Sequence, residues 1–381
     1  MRTGPRSKRS WASVVLAAST LIALAATSMP SASSASATAA TCSNLGNFYD
    51  LPTRQLVSCG FTLLPESSST ADPYGGKVYS YVLGGGTIEF HVPPGSFAAD
   101  NAPLSQLKYY GLPPRPPASS AQSLTTWKSD FGKAQFQSPP QTLIVAPIVS
   151  NDTSAHWSGF MATSSSSNYY TFVNTQYVQP SNTVSNCNNP GTNGISIGTV
   201  WTGLGGWNTG YIAQTGTDFG SNIGGNGQFW FEFYPSVPDV NAGGQVTLNQ
   251  TASPGDIVEA GVTYNGGVNY SMYLYDITNN KIYSASMNAP TGFSPDGTTA
   301  EFIVERPTVE QYLLYYPANL PNFGRASFNY SSVGAGSNIQ YLPHFSHVQM
   351  DMVLNSDLLA TPTPGILGSS GNFPVNYIGC R

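Results

Sequence analysis

Charge is what this chain has least of. Only 9% of its 381 residues are Asp, Glu, Lys or Arg, against about a quarter in an ordinary globular domain. Cations are scarcest beyond residue 150, where Lys281, Arg306, Arg325 and Arg381 stand against thirteen Asp or Glu. Phosphate recognition needs clustered Lys and Arg, so nucleic acid is excluded as a partner. Disorder is excluded too, because 40% of the chain is hydrophobic and 12% aromatic, whereas a disordered chain has few aromatics and a large net charge. Histidine is short, with four residues. His344 and His347 fall on opposite faces of a strand and His91 and His156 are isolated, so no metal and no cofactor is expected. Long apolar runs are missing after Trp11–Ala26, so no segment is expected to stay in a membrane. Few carboxylates also means few ion pairs to lose on acidification.

What is abundant is glycine (39), proline (29) and tyrosine (22), a composition that suits many short strands joined by turns. The start reads as an export signal: Arg2, Arg6, Lys8 and Arg9 precede the apolar run, and small residues around Ala35–Ala39 offer a cleavage site. Residues 1–39 are therefore assigned to a signal peptide and the protein to the secreted class. The four cysteines that follow, Cys42, Cys59, Cys187 and Cys380, suit two disulfides in an exported chain. Proximity favours Cys42–Cys59, leaving Cys187–Cys380, and the spacing gives no zinc signature.

Residues 40–148 read as a leader of mixed structure. A hairpin is expected from Val78–Leu83 through Gly84-Gly85-Gly86 into Ile88–Val92, and helical spacing links Leu104, Leu107 and Tyr110, then Leu124, Trp127 and Phe131. Pro-rich breaks lie at Leu112–Pro117 and Ser138–Pro140. From about 155 the pattern is strand after strand, with an Asn279-Asn280 turn. The expected fold for 149–381 is all-β, a sandwich or barrel.

The most informative stretch is Gly227–Pro235. Side chains alternate along a strand, so Phe229, Phe231 and Phe233 face one way, as core. Trp230, Glu232 and Tyr234 face the other, a carboxylate between two aromatics, which suits a cleft. Ala300–Glu305 puts Glu301, Ile303 and Glu305 on one face of an apolar strand. Such acids are either solvated at a sheet edge or functional. Tyr211–Phe219 places Ile212, Gln214, Gly216 and Asp218 together.

These segments resemble the glutamic peptidases, or eqolisins. The motifs are Gln214-Thr215-Gly216-Thr217-Asp218-Phe219, Trp230-Phe231-Glu232-Phe233-Tyr234-Pro235 and Ala300-Glu301-Phe302-Ile303-Val304-Glu305, with His156-Trp157-Ser158-Gly159 and Val200–Gly206 as further anchors. The resemblance implies a two-sheet antiparallel β-sandwich of the lectin-like, jelly-roll kind. It also implies a secreted acid endopeptidase that needs neither metal nor covalent intermediate. It places the catalytic pair at Gln214 and Glu305, with Trp157, Trp201, Trp230, Glu232 and Tyr234 lining the substrate cleft and Asp218 and Glu301 behind them. Gly205 and Gln228 stand where fungal members carry aspartates. Substrates would be proteins or peptides and the enzyme a monomer. The 40–148 leader would be a removable intramolecular inhibitor or, alternatively, a permanent accessory domain. Two rivals remain: a carbohydrate-binding lectin sandwich, and a glycoside hydrolase using Glu232 with Glu305 or Glu301.

Overall fold

The computed structural model describes residues 48–380, apart from 84–85, 120, 147, 150–154, 167–168, 182–194, 208, 221–224, 235–244, 294, 312–313, 337 and 363–366. The signal segment, Cys42, Cys187 and Pro235 lie outside the described residues.

Two large sheets dominate. The first runs Thr62–Pro65, Thr142–Val145, Val246–Ala252, Gly227–Tyr234, Ile212–Phe219, Gly198–Gly205, Thr299–Glu305, Trp157–Thr163, His347–Met350, antiparallel throughout. The second is centred on Lys281–Asn288, Asn269–Asp276, Ile257–Gly266, Phe172–Val178 and Arg325–Ala335. The alternation read from Gly227–Pro235 holds. Phe229, Phe231 and Phe233 enter the core between the sheets beside Val200, Leu204, Phe302 and Val304, while Trp230 joins an aromatic cluster on the other face. Each fully buried Phe in that core contributes about 1.5–3 kcal/mol through removal from water. The fold is the expected two-sheet β-sandwich.

Local readings from the sequence also hold. The hairpin forms as Lys77–Leu83 against Gly86–Val92. The helical spacings become Leu104–Tyr109 and Ala121–Phe131. Asn280 takes a left-handed φ of 56° at its turn, a conformation Asn tolerates better than most residues. Among the described residues no helix is long and apolar enough to cross a membrane.

The 40–148 region is woven into both sheets. Thr62–Pro65 and Thr142–Val145 extend the first sheet at one edge. Ser68–Ala71, Lys77–Leu83 and Gly86–Val92 extend the second, with Phe90 opposite Ala285. Tyr81, Ile88, Phe90, Leu143 and Val145 belong to the same core as Phe231 and Phe302. The strand Ile148–Val149 pairs with Thr308–Gln311 in a small third sheet. Neither Cys59 nor Cys380 is a free thiol.

Candidate active site

The site lies on the outer face of the first sheet, and its floor is set by register. Gln214 pairs with Glu232 on one side and Gly203 on the other, and Gly203 pairs in turn with Glu301. These four residues form one row across four strands. A second row holds Trp230, Gly216, Trp201 and Ile303, and a third holds Gln228, Asp218, Thr199, Glu305 and Trp157.

The first row fixes the carboxamide. Gln214 Nε2 donates to Glu232 Oε2 at 2.6 Å, so its neighbour aims it. On the other side the floor is open. A Cβ at 203 would stand 3.0 Å from the Gln214 Cβ and 2.9 Å from Ile212 Cδ1, and glycine leaves that space clear.

Register also separates the two glutamates of the Thr299–Glu305 strand. Glu301 stands level with Gln214, beyond Gly203. Glu305 stands two rows along, its backbone about 16 Å from that of Gln214 on a flat sheet. Its head group meets the aromatic row between them, because Oε2 accepts a 2.7 Å hydrogen bond from Trp201 Nε1. Asp218 shares the row of Glu305.

The aromatic residues gather in one buried cluster on this face. Trp157, Trp201 and Trp230 cluster with Met161, Ile212, Ile303 and Met350, with Tyr234 packed at the margin. The Trp157 and Trp201 rings meet edge to face at 5.0 Å. Trp207, 41% exposed with its ring 6.3 Å from Trp157, extends this wall outward. Sequence reasoning missed Trp207, Met161 and Met350. They lie outside the quoted catalytic motifs or at non-motif positions, and only strand pairing brings them here.

Burial governs the electrostatics. Glu301 and Asp218 are fully buried, and desolvation pushes both carboxyls well above the usual range. The Asp296 charge raises Glu301 further, and the Glu232 charge does the same for Asp218. The Thr299 hydroxyl opposes this by favouring ionised Glu301, without making a hydrogen bond of normal geometry. Among the described residues both Glu301 oxygens and the Trp157 indole N–H lack a hydrogen-bond partner. Each such group costs about 1–3 kcal/mol. The cost is smaller for a neutral carboxyl than for a charged one, so Glu301 keeps its proton. Gly205 has φ +86°, and a Cβ there would meet Tyr211 O at 2.6 Å. An aspartate could not replace it without moving the backbone.

The comparisons with known proteins decide the family. The peptidase A4 family profile matches residues 155–363, more than half of the chain and all five strands of the site. This chain belongs to the peptidase A4 (eqolisin) family. It is a glutamic peptidase, a hydrolase of peptide bonds in proteins or peptides. Three solved structures of such enzymes are similar to it. Scytalido-glutamic peptidase with a transition-state analogue inhibitor is 23% identical, covering 59% of this chain and 98% of that one at a TM-score of 0.46. SCP-B, an eqolisin in complex with the tripeptide Ala-Ile-His, is 19% identical over 59% and 98%, at 0.45. Aspergilloglutamic peptidase from Aspergillus niger is 22% identical over 48% and 99%, at 0.40. No curated protein sequence matches the chain.

Proposed function

We propose that this peptidase is a secreted acid endopeptidase in which Glu305 is the general base and acid and Gln214 stabilises the oxyanion. The observation that supports Glu305 over Glu301 is how each carboxyl is held. A base that works in acid must be ionised there. Glu305 accepts an indole N–H, and such a bond favours a charged carboxylate. Glu301 is desolvated, makes no hydrogen bond of normal geometry on either oxygen, and is held well above the usual range. Two anions four residues apart on one strand face would repel, so a neutral Glu301 leaves the charge to Glu305.

In this mechanism a water lies between the Glu305 carboxylate and the Gln214 carboxamide, over the Trp201 row that separates them. The water gives a proton to the Glu305 carboxylate as its oxygen attacks the scissile carbonyl carbon. The carbonyl oxygen becomes an oxyanion and receives the Gln214 N–H, an interaction typically worth about 3–4 kcal/mol in the transition state. Collapse breaks the C–N bond, and Glu305 returns the proton to the departing nitrogen. Trp157, Trp201, Trp230 and Tyr234 grip an extended peptide, and Glu232 keeps the carboxamide turned. Scarcity of ion pairs lets the fold survive the acid in which such a base works.

The site residues are covered in the full chain, since Gln214, Glu301, Glu305, Trp201 and Trp230 have no exposed surface. Part of the 40–148 leader lies on this face. The Tyr49 hydroxyl donates to the carbonyl of Thr247, the residue opposite Trp230, and Phe48, Leu56 and Phe61 pack with Ile144, Ile195 and Ile197. This segment is proposed as the inhibitory cover. N-terminal sequencing of the active enzyme checks it: a start beyond Gly60 is expected, and a start near residue 40 contradicts it.

The catalytic reading is tested by digestion of a denatured protein at acid pH with pepstatin and a chelator present. Cleavage is expected to continue in wild type and to fall at least about a hundredfold in Gln214→Ala. Near-native turnover in that variant would overturn the assignment.

A further inference from the structure

The back of the second sheet, on the opposite side of the sandwich from the peptidase site, carries a cavity of about 680 Å³. One wall is the leader, including Pro114, Trp127 and Asp130, and the other is the sandwich, including Gln176, Glu259 and His344. At its base one carboxamide joins the two bodies. Gln176 Nε2 donates to Asp130 Oδ2 and to Glu259 Oε2, each at 3.1 Å. Glu259 Oε1 also accepts from Asn174 Nδ2 at 2.9 Å and from the Tyr273 hydroxyl at 2.8 Å. Asp130 is the penultimate residue of the Ala121–Phe131 helix, at the end where the helix dipole disfavours a negative charge.

We propose that the leader's body, residues 68–136, is a permanent partner of the catalytic sandwich, clamped by this carboxyl–carboxamide–carboxyl seam, which holds in acid and loosens toward neutral pH. Packing around the seam supports a lasting interface. Leu107, Leu112, Trp127 and Phe131 form one buried cluster with Tyr273, Tyr275 and Ile282 of the sheet. Edge strands continue the second sheet through Phe90, whose ring lies 6.2 Å from Phe231 in the main core. The segment proposed above as the cover, Phe48–Phe61, comes before Thr62, so on that reading uncovering the cleft does not require this body to leave.

The pH sense follows from the charges at the seam. No cation pairs with either acid among the described residues. Arg115 is turned away, its Nη2 donating to Ala99 O and Ala102 O and its guanidinium lying 5.3 Å from the Trp127 ring centroid. His344 stands on the far wall, and Lys128 and Lys133 are exposed on the helix segment. Tyr273 and Tyr275 approach from the sheet and are held above the ordinary tyrosine range, so they stay neutral, while Asp276 is tied to Asn279. Burial raises Asp130 from 3.8 to about 6. Burial, then the Asp130 charge, raises Glu259 from 4.5 to about 7. Both acids bind protons more tightly when docked, so the proton-linked part of docking is complete below about 4. It is lost as pH climbs through about 6 and 7.

Hydrogen exchange of the 121–131 amides in the full chain, corrected for intrinsic rates, tests this at pH 4 and pH 8. Wild-type protection is expected to fall at least tenfold between the two, and Asp130→Asn, which keeps an acceptor for Gln176 and leaves only Glu259 to ionise, is expected to keep clearly more protection at pH 8 than wild type. Equal wild-type protection at both pH values, or an Asp130→Asn helix as pH-sensitive as wild type, overturns the proposal. Size-exclusion chromatography of the processed enzyme at pH 4 gives a second arm independent of the variants. A 68–136 fragment or body travelling with the sandwich is expected, and its separate elution contradicts permanence. Neither readout uses peptidase activity, so the catalytic reading stands or falls apart from this one.

Discussion

At the scale of single residues, Gln214 is defined by what holds it. Its carboxamide gives a 2.6 Å hydrogen bond to Glu232, which fixes which way the amide points. Glu232→Gln keeps an acceptor oxygen but loses the charge, so kcat on a denatured protein should drop about tenfold and not vanish. A glycoside hydrolase using Glu232 as its acid would instead lose all activity on polysaccharide. The shared faces of Gln214 and of Trp230 with Glu232 are legible in the period-two spacing of their strands, while Trp157 and Trp201 are reached only through the family resemblance. The division of labour between the two glutamates is not legible. Glu301 and Glu305 share one face, and their surroundings depend on their opposite numbers, Gly203 and Thr199, and on the Trp201 indole. Those are non-local contacts that alternation does not encode.

At the scale of strands, the site is a flat patch cut by glycine. Gly203 and Gly216 sit between large side chains in successive rows, and a Cβ at 216 would meet Val200 O at 2.1 Å and Trp201 Cβ at 2.6 Å. Gly203→Ala should crowd the Gln214 Cβ and lower kcat/KM about tenfold, with a loss of thermal stability of about 1–2 kcal/mol. Gly216→Ala, which strikes backbone, should cost more stability, and thermal unfolding of the two variants side by side checks the order. The long strands and the helices Leu104–Tyr109 and Ala121–Phe131 are visible from their periodicity, whereas the short helix Thr53–Ser58 is not. The short strands Thr62–Pro65 and Thr142–Val145 are not visible either, because four residues beside proline carry too little pattern. They pair with each other across the whole of residues 66–141.

At the scale of the molecule, the sandwich keeps buried carboxyls protonated. Asp218 and Glu301 have their protons held by burial, so the folded chain binds more protons than the unfolded one once pH exceeds the ordinary carboxylate range. Stability therefore falls as pH rises toward neutral. The thermal midpoint should be higher at pH 4 than at pH 8, and Asp218→Asn should flatten the difference. A midpoint that rises with pH would contradict this picture. The sandwich itself is legible in the sequence, and the depth to which residues 48–149 enter it is not. Leader and catalytic strands look alike in composition, and a shared core of Phe90, Leu143 and Phe231 has no local signature.

The most direct measurement is the turnover of Glu305→Gln beside Glu301→Gln, on the same denatured protein at acid pH. Glu305→Gln can still accept from Trp201 but cannot take a proton, and is predicted to lose at least about a thousandfold in kcat. Glu301→Gln replaces a neutral group by a neutral group and is predicted to stay within about tenfold of wild type. Inactive Glu301→Gln beside active Glu305→Gln would contradict the account and hand the base to the glutamate level with Gln214.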